Sequence, residues 1–115
     1  MPVQDLHRHI YDDTDPTGTS YSEKFGMGIA SLFSLHIIYG GLTGTLTLWQ
    51  SNLEEPSEAN DDDWVENTDV TFTALAGAGK QFINAGNAAA RWYRVRYVHG
   101  SGTGDLDIYA SFGEA

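Results

Sequence analysis

The chain has 115 residues, 41% of them hydrophobic, and a formal net charge of −10 from 16 acidic and 6 basic side chains. That suits one core of ordinary domain size, while so acidic a surface argues against nucleic acid, whose binding draws on Lys and Arg. The lack of cysteine removes disulfides, thiolate metal sites and a thiol nucleophile; no run of about 18 apolar residues would span a membrane, and the opening Met-Pro-Val-Gln-Asp lacks the basic and apolar regions of a secretory signal.

Residues 1–20 differ from the rest. Asp12 to Thr19 is turn chemistry. Val3 to Tyr11 alternates weakly, with Leu6, Arg8 and Ile10 on one side and His7, His9 and Tyr11 on the other. This predicts an edge strand or an arm ahead of a domain over residues 21–115. From Tyr21 the alternation strengthens. Phe33, Leu35, Ile37 and Tyr39 share one face of a strand, and Leu46 and Leu48 point inward in the next, with Trp49 pointing away. Val70, Phe72 and Ala74 form a further inward set, and Phe82 sits in a short strand near Lys80 to Asn84. Ala85 to Ala90 reads as a loop or one helical turn. In Arg91 to Val98, Tyr93, Val95 and Tyr97 face in while Trp92, Arg94, Arg96 and Val98 face out. Leu106, Ile108, Ala110 and Phe112 close the core.

Thirteen glycines against three prolines fit short strands joined by tight turns. Strands spaced by about 8–15 residues read as all-β, a single jelly-roll-like sandwich. His99 to Gly104 is expected to be a hairpin turn, which would set Arg96 opposite Asp107 on the outer face. Gly100 to Gly104 is not a phosphate loop, because Asp105 and a strand follow it; Gly77-Ala78-Gly79-Lys80 fails the same test.

Three groups carry possible site chemistry. The acidic stretch Glu54 to Glu66 is expected to be solvated or partner-facing, with Asp61, Asp62 and Asp63 as the alternative cation ligands. His7 and His9 have a metal-compatible spacing whose third ligand would come from His36, His99 or another subunit; surface histidines are the plainer reading. Trp49, Trp92 and Tyr109 leave the core face by parity, which suits protein contact or, alternatively, a sugar-stacking platform. No nucleophile–base pair or cofactor motif stands out, so no enzyme activity and no cofactor are expected.

Several motifs together resemble a family. Gly44 to Leu48 is a Gly-Thr-Leu-Thr-Leu strand, followed by Ser51-Asn52 and Trp64. Tyr93 to Tyr97 is an aromatic-Val-Arg strand, and Gly100 to Gly104 a Gly-Ser-Gly-Thr-Gly turn. Spanning Ser31 to Phe112, this order is similar to small β-sandwich virion proteins of tailed bacteriophages. The segment Leu53 to Asp63 is longer and more acidic than the family's loop. The resemblance implies a capsid decoration or cement protein, assembled in the host cytoplasm and resident on the virion. Its partners would be the major capsid protein and further copies of the chain, a trimer being one arrangement. It also favours reading residues 1–20 as an arm. Val3, Leu6, Ile10 and Tyr11, with Trp49, Trp92 and Tyr109, would then make the contacts. A tail, baseplate or head-fibre component and a carbohydrate-binding module for a host glycan are the alternatives.

Overall fold

A computed structural model describes residues 7–27, 32–58, 60–85 and 89–113. The fold is all-β, and its strands form one open antiparallel sheet rather than the two sheets of a jelly roll. Strands β1 (His7–Asp13), β2 (Thr19–Tyr21) and β3 (Phe25–Gly26) come first. The long β4 (Leu32–Ser51) follows, then β5 (Val65–Asn67), β6 (Leu75–Ala76) and β7 (Gly79–Ala85), and finally the long β8 (Trp92–Gly113). β4 and β8 pair along their whole lengths. β1, β2 and β3 line the free side of β8, and β5, β6 and β7 line that of β4.

Strands of 20 and 22 residues are far longer than usual. A straight 20-residue strand would reach about 66 Å, yet the molecule measures 43 × 32 × 23 Å. The central ribbon therefore doubles back. Phe33, near one end of β4, has its ring 4.9 Å from that of Tyr93, which pairs with Gln50 near the other end. Phe25 and Phe112 complete this aromatic clasp, with Phe25 5.2 Å from Phe33 and 5.6 Å from Phe112. The two halves of one sheet thus enclose a single core, which includes Leu35, Ile37, Leu46, Leu48, Val95, Tyr97, Leu106 and Ile108.

The fold-over lies at two irregularities in the β4–β8 ladder, between Tyr39 and Gly41 and between Thr43 and Gly44. Bulges bend a strand and shift its alternation. Accordingly the inward residues of β4 change from odd (Phe33, Leu35, Ile37) to even (Leu42, Leu46, Leu48), and those of β8 from Tyr93, Val95 and Tyr97 to Leu106, Ile108 and Ala110. Gly100 to Gly104 is therefore a bulged corner inside a continuous strand, not the expected hairpin turn. Gly102 has φ +83°, and a Cβ there would run into the carbonyl oxygen of Gly41. Arg96 faces Thr47 and Asp107 faces Ile38, so the expected Arg96–Asp107 pair does not form.

The expected arm is also corrected. Val3 and Leu6 lie outside the described residues, but β1 and β2 are strands of the sheet itself. Ile10 and Tyr11 are both buried in the core rather than offered to a partner. Two consecutive inward residues break the alternation because the β1–β8 ladder bulges between His9 and Tyr11. Of the set Val70, Phe72 and Ala74, the first two pack against the core and Ala74 is exposed. Of Ala85 to Ala90, Ala85 ends β7 and is buried, while residues 86–88 lie outside the described residues.

Candidate functional site

The outer face of the half built from β1, β8, β4 and β7 carries a transverse row. His9 lies opposite Tyr109, Tyr109 opposite His36, and His36 opposite Phe82. Four strands thus contribute four rings side by side. The His9 and Tyr109 rings stack 4.3 Å apart at 11°, and His36 and Phe82 lie 5.9 Å apart. Phe82 is 60% exposed, and Tyr109 and Ile38 41% each. Large apolar groups so exposed on the outer face of a sheet mark contact surfaces.

Polar groups flank the row. On one side His7 Nδ1 lies 2.7 Å from Ser111 Oγ, and Ser111 is opposite Ser34. On the other side His9 Nε2 lies 2.9 Å from Asp107 Oδ1. A shallow groove of about 260 Å³ runs between them, lined in part by His7, Ser34, His36, Phe82, Tyr109 and Ser111. It offers ring faces and hydrogen-bonding groups together.

The outer face of the other half is covered by the chain itself. Residues 52–58 and 60–64 fold over it, with a single 3-10 turn at Asp61–Asp63. Asn60 Oδ1 caps that turn by accepting from Asp62 N at 3.0 Å. Trp64 is buried and donates to Ser57 O at 2.7 Å. Arg94, outward by parity, is 0% exposed beneath this flap. Its guanidinium donates to Glu58 O and Asp61 Oδ1, and lies over Tyr21 at 4.0 Å and Trp64 at 4.7 Å. Burial pushes the Arg94 guanidinium down from its ordinary value, while Asp61 and Tyr21 oppose that shift.

Glu54, Glu55, Glu58, Asp62 and Glu66 of the acidic stretch are exposed to solvent, whereas these contacts tie Asp61 into the flap and account for it without a bound cation. Asp61 faces Arg94 and, at 4.0 Å, Arg96. Asp62 is exposed, and Asp63 accepts from Ser57 N at 2.8 Å. Trp49 and Trp92 are not bare platforms either. Both are half-buried, Trp49 under Arg96 at 5.4 Å and Trp92 under Lys24 at 5.1 Å. Tyr109 alone of the three outward aromatics named from parity is openly exposed. The row it joins was beyond sequence reasoning, because His36 and Phe82 meet it only through the β4 register. Their outward parity was the available signal.

No family model matches this chain, and no curated protein does. Among solved structures the chain is similar to the SPBc2 prophage-derived protein YomS, with a TM-score of 0.52 and 14% sequence identity over 97% of this chain and 98% of that one. At that identity the likeness shows a shared fold along nearly the full length of both chains.

Proposed function

We propose that this chain is a structural protein of a tailed-phage virion, most specifically a capsid decoration or cement protein. The observation that carries the reading is the fold shared end to end with a prophage-derived protein. The row with exposed Tyr109 and Phe82 beside the half-buried His36 supplies a contact surface that needs no catalytic chemistry. In this reading the row, rather than an N-terminal arm or Trp49 and Trp92, seats the protein on the major capsid protein or on another copy of itself. Repetition over many sites on the shell multiplies a modest interface into firm attachment. No turnover of substrate is proposed.

A glycan-binding reading is kept because the groove combines Tyr109 and Phe82 with Ser34, Ser111 and imidazoles. Purified particles of the phage that encodes the chain separate the alternatives. Mass spectrometry should find the chain in stoichiometric amounts, and cryo-electron microscopy should place it on the head with the Tyr109 face against the shell. Tyr109→Ala with Phe82→Ala should lower occupancy. Density at the tail or baseplate would move the function there. Absence from particles, or glycan-array binding lost in the same variant, would overturn the decoration reading.

A further inference from the structure

We infer that His9, Asp12 and Asp107 form a binding site for a divalent first-row transition cation of the zinc class. Their ligand atoms lie within 4.8 Å of one another. Three residues apart on a regular strand, His9 and Asp12 would point to opposite faces. The bulge between His9 and Tyr11 turns both Ile10 and Tyr11 inward and returns Asp12 to the outer face with His9. Asp12 then stands directly opposite Asp107.

Two features of this cluster point to a cation. Like charges directly opposite each other on a sheet are destabilising, and among the described residues no lysine or arginine is ion-paired with either carboxylate. Among the described residues the imidazole of His9 is the basic group that meets them, its Nε2 2.9 Å from Asp107 Oδ1. A cation between them would relieve the repulsion. The imidazole is also held ready, since its ring is stacked on Tyr109 at 4.3 Å and 11°. One nitrogen and two carboxylate oxygens suit zinc-class metals, whose bonds of about 2.0–2.2 Å put ligand atoms about 3.4 Å apart. Asp12 is exposed and at liberty to close the remaining distance. Three protein ligands leave a fourth position open for water or for a group from whatever surface meets this face.

This inference does not rest on the virion reading. Its test uses the tag-free full chain and Zn²⁺, with Ni²⁺ and Mg²⁺ alongside, by isothermal titration calorimetry and by NMR of the histidine ring signals. Zn²⁺ should bind one per chain and shift the His9 signals first. His9→Ala, Asp12→Asn and Asp107→Asn should each weaken binding by at least about tenfold, while His99→Ala leaves it unchanged. Zn²⁺ should raise the melting temperature of the wild type and not that of Asp12→Asn. Mg²⁺ binding as tightly as Zn²⁺, or Zn²⁺ binding that survives Asp12→Asn and Asp107→Asn but is lost on His7→Ala or His36→Ala, would overturn the assignment. So would no Zn²⁺ binding at all.

Discussion

Asp61→Ala should destabilise the chain far more than Asp62→Ala, although both acids come from one exposed-looking Asp-Asp-Asp run. Asp61 is the carboxylate that faces the fully buried Arg94. Removing one partner of a fully buried ion pair costs about 3–5 kcal/mol. The Asp61 side chain is 42% exposed, so water takes up part of its role, and Arg94 keeps Glu58 O and the rings of Tyr21 and Trp64. The expected loss is therefore about 2–3 kcal/mol, a drop of about 1–2 M in the urea midpoint. Among the described residues Asp62 makes no side-chain contact of this kind, and its substitution should stay within about 0.5 kcal/mol. Tryptophan emission gives a second readout, because a lifted flap would wet the buried Trp64. Arg94→Met with Asp61→Ala closes a double-mutant cycle. Its two losses should fall short of additivity by about 1–2 kcal/mol, since the double variant leaves neither charge stranded. Equal losses for Asp61→Ala and Asp62→Ala, or strict additivity in the cycle, would refute the buried lock.

Three further outcomes are expected. Gly102→Ala should leave little folded protein by circular dichroism, because a positive φ and a collision with the Gly41 carbonyl oxygen coincide at the corner, while Gly18→Ala, with positive φ but open space around it, should cost about 1 kcal/mol. Phe33→Ala should cost about 3–5 kcal/mol by urea unfolding, since its ring joins the two ends of the doubled ribbon. Burial raises the Tyr11 and Tyr97 hydroxyls above their ordinary value of 10.0. The unfolded chain then loses these protons first, so stability is level below about pH 10 and falls as pH rises through the folded values; Tyr11→Phe and Tyr97→Phe should flatten that fall in melting scans.

Side-chain alternation made much of the core legible. Within each strand segment, period two is set by the backbone, so Phe33, Leu35 and Ile37, or Tyr93, Val95 and Tyr97, declare their face without tertiary information. What the sequence hid lies at the irregularities. A glycine-rich stretch looks the same whether it reverses the chain in a turn or bends a continuous strand; only the pairing of Thr43 with Ser101 and Gly41 with Thr103 distinguishes them. Ile10 and Tyr11 looked like opposite faces because a bulge is invisible to a strict period, and the same bulge hid the meeting of His9, Asp12 and Asp107. Arg94 was read as solvent-facing from its parity, which was right about the sheet face and silent about the flap that covers it. The ties within the acidic stretch were hidden because the partners of Glu55 and Asp61, namely Lys24, Arg94 and Arg96, are far away in sequence.

The central pairing also sets the order in which the protein can assemble during synthesis. β1, β2 and β3 find their partner only in β8. Asp13 must wait for Leu106, about 90 residues further on, which at about 5–20 residues per second is a delay of about 5–20 s. β4 with β5, β6 and β7 can begin to pair earlier, but one long edge of β4 stays unsatisfied until β8 arrives. Nascent chains crowded on one message would then present matching open edges to each other. Slow growth temperatures, or a chaperone that shields β4, should therefore govern the yield of folded protein more than the stability of the finished sheet does.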